Sequence, residues 1–428
     1  MNKNLIYDIS DTPFTIREWL LYAIQQLCAV FVATVLIANI CGTPISSCLL
    51  GACVGTILYQ IITGFKSPMF ISSCGATCSA VIGALAIGEG NNYTAVLIGG
   101  GVIFLVYAIF ALIIKLRGIA AINAIFPPII IGPVTMVIGI NLAMFIPTYV
   151  QVNGQYNTYG ILVAIFTMIV IALVSHYARG TVKTIPFLIG LVAGYGLATV
   201  LTLTKVAPLI DFSIFHDIVI FAPPDFAWNY MNNAVDWKVI GQVVLLFVPV
   251  SICSLLEHYS DHKVLSNIIG TDLTATPGLH RTLLGDGAAS LLGTFVCGLP
   301  NTSYGESIAT TGFSRVASTR VITLAALILG ALSFIYPVQL VIMSIPSSVF
   351  GGCAMILYGY IAASGLKTLL AAKPDLNNNK NLIVISVILT VGVSGIYLFS
   401  ESFAGISLAM VLGVILNLIL RGHGGVKR

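Results

Sequence analysis

The chain has 428 residues, of which 58% are hydrophobic and 8% charged, and its formal net charge is +4. A soluble domain carries about a quarter charged residues and roughly half apolar ones, so this composition excludes an ordinary water-soluble fold and calls for lipid to cover the surplus. It also holds no Walker loop for ATP, no dinucleotide fingerprint in a strand-turn-helix setting and no Cys/His cluster at zinc spacing, which leaves no catalytic set and no sign of nucleic-acid binding.

A spanning helix takes about 20 apolar residues. In chain order, fourteen candidates appear: 18–41, 46–65, 68–88, 94–115, 126–145, 158–177, 184–204, 237–260, 281–297, 299–314, 321–343, 346–366, 381–398 and 402–420. The first is too long for a signal-peptide core, and its end, Ala38 to Gly42, lacks a small-residue cleavage pattern, so it is expected to be retained. With both termini cytoplasmic, the inside loops hold 17 of the 19 Lys and Arg residues, among them Lys3, Lys66, Lys115, Lys263, Arg281, Arg421, Lys427 and Arg428, and only Lys205 and Lys238 fall outside. One span more or fewer would invert every later loop, so the positive-inside rule supports an even count in a plasma membrane with this orientation. Nine cysteines without a CxxC pair read as packing thiols in a chain without disulfides.

The polar connection from Lys205 to Trp237 divides the spans seven and seven, and an odd number per half turns the second half upside down. Phe126-Pro127 followed by Gly132 and Met136 is echoed by Ile345-Pro346 followed by Gly351 and Met355, an offset of 219 residues. The expected fold is therefore an all-α polytopic membrane protein with a 7+7 inverted repeat.

Two segments interrupt the apolar pattern, Ser67 to Ala76 and Cys297 to Glu306, each opening with Pro, Ser, Thr and Gly before turning helix-like. Lipid offers no water to a broken hydrogen-bond ladder, so such backbone is buried in protein or lines a cavity. Paired broken segments in inverted halves mark a transporter's central site, where half-helix N-termini offer free N–H groups. Two ordinary kinked helices are the alternative.

Most of the 15 acidic residues sit in loops or at span ends. Glu257 and Glu306 instead sit in apolar surroundings, where a carboxylate persists only if it faces a cavity, a partner or a proton. Asp261 lies four residues after Glu257, on the same helix face, which suits a proton relay. The other reading makes Asp261, His258, His262 and Lys263 the cytoplasmic end of a helix. A metal set from Glu257, His258, Asp261 and His262 is disfavoured because the two histidines point off that face. Asp286 reads as a helix-end group. With no ATP motif, an ion gradient would supply the energy, H⁺ through these carboxylates or Na⁺ through broken-helix carbonyls.

Glu257-His258-Tyr259-Ser260-Asp261-His262, the run Pro277 to Arg281, and Asn301-Thr302-Ser303-Tyr304-Gly305-Glu306 running on to Arg315 resemble the nucleobase-ascorbate transporters (nucleobase:cation symporter-2), within them the bacterial uracil permeases. The similarity extends from Gln25 through Leu357-Tyr358-Gly359 and Ala363-Ser364-Gly365. It implies a core domain of spans 1–4 (14–118) and 8–11 (237–344), and a gate domain of spans 5–7 (119–205) and 12–14 (345–428). An extracellular connection covers 206–236, and spans 3 and 10 each pair a short strand with a half-helix. It further implies that Glu257 and Glu306 accept hydrogen bonds from ring N–H groups of a base, that backbone N–H near Gly75 and Gly305 donates to a carbonyl, and that Ala33, Cys74, Tyr304 and Tyr358 line the pocket. Proton coupling would fall to Glu257, Asp261 and Glu306, without metal or resident cofactor, in a homodimer joined through gate domains. Uracil offers N–H donors and C=O acceptors in alternation, which carboxylates and backbone amides match, and Glu306 stands where xanthine transporters often carry Gln.

Three positions depart from the family pattern: Gly75 stands where an aromatic is usual, Gln26 follows Gln25 where Gln-His is usual, and Asp261 stands where some members have His. A purine permease of the same family and an anion exchanger or channel of the same architecture are the alternatives. Glu257 and Glu306 argue against the anion reading.

Overall fold

The structure, a computed structural model, describes residues 5–88, 92–118, 126–152, 154–215, 219–226, 229, 236–296, 298–398 and 400–420. Lys3, Arg421, Lys427 and Arg428, counted above among the inside charges, lie outside the described residues, as does Cys297 of the second broken segment.

Among the described residues eight helices are long and apolar enough to cross a membrane: Ile16–Cys41, Ile45–Thr63, Tyr93–Arg117, Pro128–Tyr149, Thr158–Tyr177, Pro186–Leu203, Trp237–Ile269 and Ser347–Ala371. Thr319–Leu332, Asn379–Ser394 and Ile406–Ile419 are shorter and apolar. Their outer faces fit lipid. On Tyr93–Arg117 the exposed residues Leu105, Ile109, Leu112 and Leu116 recur every three to four positions, while Ile103, Val106 and Tyr107 turn inward. The protein is a predominantly helical membrane protein.

Local signals set the helix ends. Thr15 accepts from Glu18 N at 3.2 Å to open the first helix, which Gly42 closes in a left-handed conformation at φ 65. Asp236 accepts from Val239 N at 2.7 Å to open Trp237–Ile269. Pro127 and Pro346 both stand, with extended backbone, immediately before the helices Pro128–Ala143 and Ser347–Ala371.

The helices pack mainly in two sets. Leu279–Phe295 lies against Tyr93–Arg117 and Ile45–Thr63, Thr319–Leu332 against Ile16–Cys41 and Ile45–Thr63, and Trp237–Ile269 against Tyr93–Arg117 and Gly305–Ser314. In the other set Ser347–Ala371 packs on Pro128–Ala143, Thr158–Tyr177 and Pro186–Leu203, and Asn379–Ser394 on Pro128–Ala143 and Ile406–Ile419. Glycines permit the closest approach. A Cβ at Gly139 would stand 2.5 Å from Ala362 N, and one at Gly365 2.5 Å from both Gly132 O and Met136 N.

Between these helices run the broken segments. Ile71–Ser73 pairs antiparallel with Asn301–Ser303 in the register Ile71↔Ser303, Ser72↔Thr302 and Ser73↔Asn301, and the helices Cys78–Leu85 and Gly305–Ser314 follow the two strands. The order long helix, helix, strand with short helix, helix thus occurs in 16–117 and again in 237–332.

Some boundaries differ from expectation. The stretch 321–343 is two helices, Thr319–Leu332 and Tyr336–Met343, because the backbone between them bonds elsewhere: Ala222 N donates to Phe334 O at 3.1 Å and Tyr336 N to Ile220 O at 3.0 Å. The helix from Trp237 runs to Ile269, not 260, so Asp261, His262 and Lys263 lie within it, and the helix-end reading of that cluster is corrected.

Candidate functional site

Each strand is three residues long, and helix side chains take the backbone bonds that its partner leaves open. Thr56 Oγ1 donates to Ile71 O at 2.7 Å and accepts from Ile71 N at 3.1 Å. On the second strand Ser290 donates to Asn301 O, while Asn301 Nδ2 donates to Gly51 O at 2.9 Å and Ala289 O at 3.1 Å. Cys74 N donates to Pro300 O at 2.8 Å, which continues the pairing to the point where each chain turns into its short helix. Irregular backbone is thereby satisfied wholly inside protein, as the membrane interior demands.

The two short helices start beside this ribbon. Gly305 opens the second, with open space where a side chain would stand, and Glu306 sits half-buried in its first turn. Gly75 lies at the matching turn of the first. A Cβ there would meet Ile361 Cδ1 at 3.4 Å, an ordinary contact, so the glycine is not forced by crowding.

A cavity of about 440 Å³ opens between the two helix sets. Glu257, Asp261 and Cys253 line it from Trp237–Ile269, Ile131 and Thr135 from Pro128–Ala143, and Thr368 from Ser347–Ala371. The exposed surface of Glu257 faces this space. Asp261, half-buried, accepts a hydrogen bond from Ser303 Oγ at 2.7 Å. Glu257 lies within electrostatic reach of Glu306 and Asp286, and Asp261 within reach of all three. These acids thus come from three elements, Trp237–Ile269, Gly305–Ser314 and Leu279–Phe295.

The remaining candidate residues are more enclosed. Cys74, 1% exposed, stands 3.5 Å through its sulfur from Ser254 Oγ and within reach of the Glu257 charge. Tyr304 is buried close to Glu306. Ala33 is buried one residue before Thr34, whose hydroxyl is 2.6 Å from Ser72 Oγ on the first strand. Tyr358 is buried in Ser347–Ala371, beside Tyr149. The structure gathers Glu257, Asp261, Glu306, Cys74 and Tyr304 around the ribbon. Of the expected site residues only Glu257 and Asp261 line the open cavity; Glu306, Cys74, Tyr304, Gly75 and Gly305 lie behind it around the ribbon, and Ala33 and Tyr358 are packed among apolar side chains.

Asp286 corrects an expectation. It lies two turns inside Leu279–Phe295, fully buried, with Oδ2 at 2.5 Å from His258 Nδ1 and accepting from Thr302 Oγ1 at 3.2 Å. The flanking glycines explain its depth, since a Cβ at Gly285 would stand 2.8 Å from the Tyr59 ring and one at Gly287 2.9 Å from Tyr107 Cβ. His258 and His262 point to this buried side, away from Glu257 and Asp261. Sequence reading missed the set because its partners are joined only through the fold; the available signal was an acid between two glycines in an apolar run.

The profile of a family described as "Permease family" matches residues 17–401. The chain belongs to the nucleobase-ascorbate transporter family of permeases. It is 37% identical to the uracil permease of Bacillus caldolyticus over 429 residues, covering 99% of this chain and 96% of that protein. It is 32% identical to the uracil permease of Escherichia coli K12, covering 93% and 90%. Among solved structures it is similar to the transmembrane domain of the cyanobacterial bicarbonate transporter BicA, with TM-score 0.59 at 14% identity over 96% of this chain and 99% of that one. It is also similar to the murine anion transporter Slc26a9 in its inward-facing state, with TM-score 0.65 at 12% identity over 96% and 69%. At these identities the likeness speaks for the fold alone.

Proposed function

We propose that this permease imports a nucleobase, uracil in the first place, by proton symport across the plasma membrane. The observation that carries the reading is that Glu257 and Asp261 line one cavity beside two paired strand–half-helix units, with Glu306, at the start of the second half-helix, within electrostatic reach of both. A pyrimidine ring presents N–H groups to carboxylates and carbonyls to free backbone N–H. Carboxyl groups inside a membrane protein serve as proton carriers, and the same groups would then bind both cargo and H⁺. The whole-length similarity to uracil permeases supports the choice of cargo.

The set carrying Glu257 and Glu306 serves as the core, and the set built on Ser347–Ala371 as the gate, with 206–236 as the extracellular connection. The cavity lies on their boundary, so sliding the core past the gate would carry the acids from one side to the other, an elevator movement. Fourteen spans in a 7+7 inverted repeat, cytoplasmic termini and a homodimer through gate domains complete the proposal. Backbone N–H at Gly75 and Gly305 donates to the base, with Cys74, Tyr304, Ala33 and Tyr358 around it as the core moves.

The test is uptake of labelled uracil by proteoliposomes. The proposal expects uptake that rises with an inward proton gradient and falls when a protonophore collapses it. Uptake driven equally by Na⁺ at constant pH would overturn the proton assignment, and unlabelled xanthine competing better than uracil would make the cargo a purine. Chloride or bicarbonate flux without base uptake would select the anion-transporter alternative, against which the acidic cluster stands.

A further inference from the structure

Glu257 and Asp261 hold the cavity face of Trp237–Ile269, while His258 and His262 hold an adjoining, fully buried face. The buried side is a connected polar set. His258 Nδ1 lies 2.5 Å from Asp286 Oδ2, the same oxygen accepts from Thr302 Oγ1 at 3.2 Å, and Ser254 Oγ donates to Thr302 Oγ1 at 3.2 Å. His262 Nδ1 is 2.8 Å from His258 O and its Nε2 2.8 Å from Tyr59 Oη, which donates to Ser67 Oγ at 2.7 Å. None of these side chains lines the cavity of Glu257 and Asp261.

Thr302 and Ser303 are neighbours on one strand, and side chains on a strand alternate. Thr302 turns to the buried Asp286, and Ser303 turns the opposite way to Asp261. Two residues later the chain reaches Gly305 and Glu306. Asp286 Oδ2 takes both the His258 and the Thr302 contact, while Asp286 Oδ1 and His258 Nε2 have no hydrogen-bond partner among the described residues; buried polar groups cost free energy unless satisfied, so the contacts through Oδ2 are the ones that hold this set together. We infer that His258, Asp286 and Thr302 form a positioning latch that fixes the Asn301–Ser303 strand, so that Ser303 holds Asp261 and the Gly305–Glu306 turn faces the cargo. These are positioning residues, acting through Ser303 and the half-helix without touching the cargo. The transport readout below rests on the proposed function; a second readout does not.

The experiment uses the full chain with Thr302→Val, which keeps the shape and removes the hydroxyl, Thr302→Ser, which restores it, and His258→Gln. In proteoliposomes the latch predicts that Thr302→Val raises KM for uracil about tenfold per folded molecule, that Thr302→Ser stays within about twofold of the parent, and that adding Ser303→Ala to Thr302→Val changes KM little further. In detergent, carbodiimide labelling of Asp261, read by mass spectrometry, should rise several-fold in Thr302→Val and in His258→Gln as Ser303 lets go. A parent without uracil uptake would remove the transport proposal and leave the labelling result to decide on the latch. Parent-like KM or parent-like Asp261 labelling in Thr302→Val, even with lowered thermal stability, would overturn the latch and leave a network that only holds the fold together.

Discussion

Gly365→Ala should destabilise the protein, whereas Gly359→Ala, less than two turns away on the same helix, should not. A Cβ at Gly365 would stand 2.5 Å from Gly132 O and Met136 N, both backbone atoms, whereas at Gly359 nothing lies within 4 Å. Ordinary contact begins near 3.4 Å, so Ser347–Ala371 and Pro128–Ala143 must part by roughly 0.9 Å to admit the methyl. Overpacking of this kind costs about 1–3 kcal/mol, while replacing a helical glycine by alanine returns up to ~1 kcal/mol. The obstructing atoms cannot rotate aside, which puts Gly365→Ala toward the upper end, a net loss of about 1–2 kcal/mol. Gly359→Ala keeps only the gain. Thermal unfolding of the purified variants, followed by tryptophan fluorescence, should place Gly365→Ala below the parent and Gly359→Ala at or above it. Equal midpoints, or the reverse order, would refute the close helix contact and with it the packing of the second helix set.

Ser303→Ala removes the 2.7 Å hydrogen bond to Asp261; at about 1.5–3 kcal/mol for a bond to a charged group, uptake kcat/KM should fall roughly 10- to 150-fold, and an unchanged value would count against Asp261. Asp286→Ala removes the partner of a fully buried His258 and should cost about 1–3 kcal/mol, the penalty of a buried polar group left unsatisfied. Replacing both partners by apolar residues should cost less than the sum of the two single changes, as measured by urea or thermal titration. Asp236→Ala removes a helix cap worth about 0.5–2 kcal/mol; since Glu257 lies some 30 Å further along that helix, stability should drop while KM for uracil stays at the parent value.

Membrane residence was legible in the sequence because burial in lipid demands long apolar runs whatever the tertiary partners, and Thr158–Tyr177 coincides with the stretch expected there. The breaks near Pro68 and Pro300 were legible as breaks, since Pro and Gly disrupt a helix locally. That Ile71–Ser73 and Asn301–Ser303 pair with each other comes through the folded chain. The division of 321–343 escaped notice because its cause, hydrogen bonds from 220–222, lies about a hundred residues away. Asp286 was misread for the same reason. Its partners His258 and Thr302 flank it at a distance in sequence, and Gly285 and Gly287, which let aromatic rings close over it, look unremarkable in a glycine-rich chain. Glu257 and Glu306 stood out because a carboxylate in an apolar run needs a reason.

Binding of labelled uracil to the purified protein and to Glu257→Gln and Glu306→Gln bears most directly on the central claim. A carboxylate replaced by an amide of the same shape loses the acceptor it offers to a ring N–H, and a hydrogen bond to a charged group is worth about 1.5–3 kcal/mol, so each variant should bind roughly 10- to 150-fold more weakly while remaining folded. Uracil bound as tightly by both variants as by the parent would contradict the placement of the base at this acidic cluster.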